Sequence, residues 1–118
     1  QEQYPFHKRF LRKPVEIRVE VERFQEALPS SSVNISPSGM CFLLGDPLED
    51  NERMKVLLYV PQGKEVEILK VQARQVWQET AGEKWKIGAA FEQFAPGDER
   101  RLRAWLIELS NTATPAKK

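Results

Sequence analysis

From Val15 to Glu22 apolar and charged residues alternate without a break: Val15, Ile17, Val19 and Val21 against Glu16, Arg18, Glu20 and Glu22. A period of two puts β-branched residues on one face and charge on the other. This is the pattern of a strand with one buried side, and it is incompatible with an amphipathic helix. Shorter versions of the pattern follow, each closed by a turn. Val33 to Ile35 reads as the end of a strand, Ser36-Pro37-Ser38-Gly39 as a turn, and Met40 to Leu44 as a second apolar strand. Gln25 to Ser32, with Pro29 and three serines, reads as a connection, and Gly45 to Asn51 as a loop.

Met54 to Val60 is apolar and stops at Pro61-Gln62-Gly63. Val66 to Trp77 is a long strand whose apolar phase slips between Ile68 and Leu69, which predicts a bulge there. Ala81-Gly82 turns the chain, and Trp85, Ile87, Ala89 and Phe91 alternate again. After Pro96-Gly97, Asp98 is placed as a helix N-cap, and Leu102, Trp105, Leu106 and Leu109 fall on one helical stripe. About six short strands followed by one helix predict an all-β-dominated antiparallel barrel or sandwich, with the helix buried against its outside or across an open end. Residues 1–14 are expected to form a basic arm, 15–110 the barrel and helix, and 111–118 a flexible polar tail.

The composition narrows the function. Eighteen Lys and Arg against seventeen Asp and Glu leave a net charge of +1, which disfavours a protein that coats nucleic-acid polymers. Mixed charge on the strand faces also disfavours a platform for single strands. The chain has one cysteine, Cys41, so it has no internal disulfide; Cys41 reads as an inert buried thiol in an apolar strand. One histidine and one cysteine make a structural zinc site poor, and no metal or cofactor is expected. No apolar run reaches the roughly 20 residues that cross a bilayer, and no signal-peptide pattern opens the chain, so the expected location is cytoplasmic, without membrane insertion. It opens on Gln1, which leaves an upstream piece open. No nucleophile–base pair, nucleophile elbow or P-loop is present, so an enzyme is not expected.

Neutrality overall hides a local concentration. Lys8, Arg9, Arg12 and Lys13 place four positive charges within six residues, with Phe10 among them. A guanidinium donates in a planar fork, suited to phosphate and to the O6/N7 edge of guanine. The segment Asn34-Ile35-Ser36-Pro37-Ser38-Gly39 offers small polar groups at a strand corner, with Gly39 letting the backbone bend. Together they suit a compact anionic purine nucleotide. Taken alone, the basic run is a solvated arm and the second segment a turn whose side chains bond the local backbone.

These two segments resemble the PilZ family, receptors for cyclic di-GMP. The family pattern is R-x-x-x-R before the first strand, then [DN]-x-S-x-x-G some 20 to 30 residues later. Asn34, Ser36 and Gly39 match the second motif throughout, and Arg12 matches the second arginine of the first. Val76-Trp77 resembles the family's valine–tryptophan, 87–91 its G-x-x-F strand, and the helix from Asp98 to Leu109 its C-terminal helix. The likeness spans about residues 7 to 110. It implies a six-stranded antiparallel PilZ-type barrel with one C-terminal α-helix, and cyclic di-GMP held by Lys8, Arg9, Arg12, Asn34, Ser36 and Gly39. His7, Phe10 and Gly88 are secondary candidates. His7 is within reach of a phosphate, Phe10 pins the arm or covers a guanine, and Gly88 reads first as close packing in a strand. Lys8 stands where the family has its first arginine, and lysine lacks the fork. The alternative reading is therefore a PilZ-fold protein-interaction module with weak or no cyclic di-GMP binding. Trp77, Trp85 and Trp105 read as packing residues, and Arg100, Arg101 and Arg103 as the solvent face of the helix. The resemblance implies regulation of a protein partner or neighbouring domain, as in motility or biofilm signalling. Pairing of two barrels through their helices stays open.

Overall fold

The alternation at Val15–Val21 becomes the first wall of a closed barrel. A computed structural model describes residues 15–113. Its elements are β1 (Arg18–Arg23), β2 (Glu26–Ser36), β3 (Gly39–Leu44), β4 (Arg53–Gln62), β5 (Glu65–Ala81), β6 (Lys84–Phe94) and one helix, α1 (Asp98–Ala113). All neighbours are antiparallel, and the order β1-β2-β3-β6-β5-β4 closes where β1 pairs with β4. Closure leaves no pair of free sheet edges around the barrel. Inward residues of every strand fill it: Val19, Val21, Ile35, Met40, Phe42, Val56, Leu58, Leu69, Val71, Ile87 and Ala89 are buried in one core.

Three features differ from the sequence reading. Glu26–Ser36 is strand throughout, where a connection was expected up to Ser32. Pro29 and the serines obscured it, yet each has a local reason. The β2–β3 ladder begins only at Ser32, so Pro29 lies where β2 has no β3 partner and its missing N–H costs no ladder bond. Ser30 donates to the carbonyl of Leu43, a side chain doing what the ladder does elsewhere. Second, the phase slip at Ile68 is not a bulge. The β4–β5 register runs unbroken from Glu65 to Arg74, and Val66 and Ile68 face solvent. The β5 irregularities lie further on, against β6, between Gln72 and Ala73 and between Gln75 and Trp77.

Third, Asp98 is the first residue of α1 rather than its cap. The Gly97 carbonyl accepts the Arg101 N–H, and Gly97 has φ of 84°, open to glycine without strain. Asp98 is instead a buried clasp. One carboxylate oxygen accepts the Lys70 N–H of β5 at 2.9 Å and the other accepts from Arg101 at 2.7 Å. The Lys70 carbonyl accepts from Ala95. The helix entry thus takes up both backbone groups of Lys70, just before β6 begins to pair with β5 at Val71. The predicted stripe then packs as expected: Leu102 and Trp105 join the barrel core, with Leu106 and Leu109 against it. The helix continues to Ala113, past the start of the expected tail.

Candidate functional site

Asn34, Ser36 and Gly39 sit at the β2–β3 corner, around the two-residue loop Pro37-Ser38. Ser36 is buried. Its hydroxyl accepts the Ser38 N–H at 3.3 Å and lies 3.3 Å from the Gly39 carbonyl. The Ser38 carbonyl accepts from Phe91 N–H at 2.9 Å, which ties the corner to β6. The side chain of Asn34 is half-buried and makes no hydrogen bond among the described residues. The corner is therefore an ordered turn whose Asn34 amide is not engaged by the described residues.

Two bulges decide what surrounds it. Along β2, Ser30 and Ser32 belong to the inward row, yet Ile35 is also inward. The extra residue is Val33, at the register shift between Ser32 and Asn34. A one-residue slip exchanges the two faces of a strand, so Asn34 points outward. Along β5, Ala73 and Gln75 are buried, and the shift between Gln75 and Trp77 leaves Val76 as the extra residue. That shift turns Trp77 outward. As a result Asn34, Cys41, Gly88 and Trp77 form one cross-strand row over β2, β3, β6 and β5. Ser36, Gly39, Ala90 and Arg74 form the next. Polar groups and small residues at one end of each row face an indole or a guanidinium at the other.

Gly88 has a steric reason for being glycine. A Cβ there would lie 2.1 Å from Nε1 and 2.2 Å from Cε2 of Trp77. The indole rests on the β6 backbone, so the packing reading of Gly88 holds. Arg74 and Arg53 both donate from Nε to Glu92, at 2.8 and 3.0 Å, and Arg74 also reaches Asn51 at 3.2 Å. The Arg74 hydrogen bond holds the Glu92 carboxyl below its ordinary value, with Arg53 adding to the effect against partial desolvation. Two cations share one anion here, leaving this end of the row positive. A groove of about 490 Å³ continues from Pro37 and Ser38 past Phe91 and Glu92 to Gly97 and Arg103.

The chain enters this region under close control. Ser32, which the sequence reading left in a connection, accepts the Ile17 N–H at 2.9 Å and donates to the Val15 carbonyl. The Val15 N–H donates to the Val33 carbonyl at 3.1 Å. Val15 is therefore bonded to the residue next to Asn34. Lys8, Arg9 and Arg12, with His7 and Phe10, lie outside the described residues. Ser32, Trp77 and Arg74 were missed as neighbours of the motif. No local signal marks Ser32, and the other two join the rows only through strand pairing.

A family model for the PilZ domain matches residues 6–108, most of the chain. The chain belongs to the PilZ domain family. PilZ domains are receptor and adaptor domains of cyclic di-GMP signalling, and no catalytic family is indicated. Solved structures agree on the fold. The Bacillus subtilis inhibitor of motility MotI/DgrA superposes with a TM-score of 0.78 at 19% identity, over 95% of this chain and 53% of that one. K. pneumonia MrkH in its apo state gives 0.70 at 21% identity, over 100% of this chain and 55% of that one. The chain thus spans about half the length of either. A search of curated proteins finds no match. Among the described residues, no helix of this PilZ domain is long and apolar enough to cross a membrane.

Proposed function

We propose that this PilZ domain is a non-enzymatic, cytoplasmic receptor for cyclic di-GMP, and that closure of its basic N-terminal arm on the ligand regulates a partner or neighbouring domain. The observation that carries the reading is the tether of Val15 to Val33, beside Asn34. Arg12 is three residues from Val15, and three residues span at most about 11 Å. A residue that close to the tether can bring its guanidinium to the face bearing Asn34 and Ser36. Asn34 supplies an amide, unengaged among the described residues, with a donor and an acceptor for a guanine edge, and Arg12 with Lys8 or Arg9 supplies charge for phosphate and guanine. Gly39 completes the motif at this corner and lets the backbone bend there. Binding would exchange an open arm for an ordered one, and a partner would read that change. One fold neighbour is an inhibitor of motility, which makes motility the first output to examine.

Isothermal calorimetry with cyclic di-GMP on the full chain tests this directly. Saturable heat that disappears in Arg12→Ala is expected. An absence of heat at high micromolar ligand would instead favour the second reading, a PilZ-fold interaction module without nucleotide. Lys8, in the place of an arginine, is the observation behind that alternative.

A further inference from the structure

The β1–β2 turn is built at a steric cost that its hydrogen bonding does not require. Arg23 pairs with Glu26, leaving Phe24 and Gln25 as a two-residue loop with φ of 51° and 67°. Two positive φ values are what a type I′ hairpin needs, and Asn-Gly is the sequence that meets it without strain. The chain places a phenylalanine and a glutamine there instead, and Phe24 is 78% exposed. Neither burial nor turn chemistry accounts for this choice.

The ring is also held in place. The Arg23 guanidinium stacks on it at 4.8 Å. That guanidinium is in turn gripped by Glu52, which accepts from Nε at 2.6 Å and from the terminal nitrogen at 3.0 Å. Glu52 accepts the Glu49 N–H as well, at 2.8 Å. An exposed aromatic fixed by a two-step clamp loses little freedom on docking, which is the property of an interface anchor. The surroundings are acidic. Glu49 and Asp46 lie close enough to act on the Arg23 charge, and Glu26 borders the turn. Among the described residues none of these three exposed carboxylates forms a salt bridge within 4 Å.

We infer that the Phe24 turn is a protein-docking knuckle, whose ring enters an apolar pocket on a partner with a basic rim. The acidic surround argues for that partner charge and against an anionic lipid surface. The knuckle and the Asn34–Gly39 corner occupy opposite ends of β2, so a protein and a nucleotide can be held together. The inference stands whether or not the nucleotide binds.

Two measurements on the full chain test it. The double variant Phe24→Asn/Gln25→Gly relieves the turn and should raise the midpoint of thermal unfolding, whereas a ring kept for stability would make it fall. Photo-crosslinking from benzoylphenylalanine at position 24, in the cells of origin, should capture one protein. Titrated in purified form, that protein should bind the native chain, lose about tenfold or more in affinity with Phe24→Ala, and bind more weakly as salt rises from about 0.05 to 0.3 M. Cross-linking to lipid, to a second copy of this chain or to nothing overturns the proposal. So does a captured protein indifferent to Phe24→Ala.

Discussion

The indole of Trp77 lies on Gly88 so closely that a single methyl group at position 88 would overlap its five-membered ring. Gly88→Ala must therefore displace the indole or the β6 backbone. Overpacking of this kind costs about 1–3 kcal/mol. A lower urea midpoint with an altered tryptophan emission is the expected result. In a Trp77→Ala background the same substitution should cost much less, because the two side chains occupy one space. Additive losses would mean that the contact is not what keeps position 88 a glycine.

The proposed nucleotide site separates binding from folding. The Asn34 amide has no partner among the described residues, so Asn34→Ala should leave stability within about 0.5 kcal/mol. If that amide reads a guanine edge, cyclic di-GMP affinity should fall by roughly tenfold or more, equivalent to about 1–3 kcal/mol. Ser36→Ala should affect both, since the hydroxyl also orders the Ser38 turn. Lys8→Arg should tighten binding by restoring the fork. Calorimetry paired with urea titration of each variant distinguishes these cases. Equal affinity in native and Asn34→Ala protein would remove the amide from the site.

Acid should weaken the clamp beneath Phe24. Hydrogen bonding from Arg23, opposed by partial burial and aided by the Glu49 amide, holds the Glu52 carboxyl below its ordinary value. A carboxylate with a depressed folded-state value stabilises the fold above its unfolded value, and that contribution is lost as pH falls through the folded value. The window therefore opens below about pH 4.3. Glu52→Gln should lower stability at neutral pH by about 1 kcal/mol or less, since the pair is partly solvated. The variant should also show a shallower loss on acidification. Parallel pH–stability curves for native and variant chains would refute the assignment.

The Asp98 clasp predicts a local failure. Asp98→Ala strips the acceptor from the Lys70 N–H, a part-buried hydrogen bond whose loss costs about 1 kcal/mol. Asp98→Asn keeps a carbonyl oxygen in place and should recover part of the loss. Hydrogen exchange at Lys70 should accelerate in the alanine variant ahead of global unfolding. Leu102 and Trp105 should then open with it, because they enter the core on the helix that Asp98 anchors.

Strand identity was legible wherever a strand has one wet face and no irregularity, as at Arg18–Glu22, Met54–Val60 and Trp85–Phe91, although β1 starts at Arg18 and not at Val15. It was not legible at Glu26–Ser32, where serines and a proline serve positions at which the ladder is incomplete. The helical stripe was legible because 3.6-residue periodicity is a local property. The role of Asp98 was not, because its main partner, the Lys70 N–H, lies 28 residues away.

The sequence by itself determined the alternating faces, the turns, the helix stripe, the PilZ motif residues and the four-charge arm within a neutral chain. All of these depend on the identity of neighbours within a few positions. Only the tertiary structure decided that Asn34 and Trp77 share an outer row, that Gly88 is the floor beneath an indole, and that the chain leading from the arm is bonded next to Asn34. The reason is register. A bulge of one residue at Val33 and another at Val76 exchanges the inner and outer faces of the strand beyond it, and no count of apolar residues along the chain shows which face the partner strand will meet.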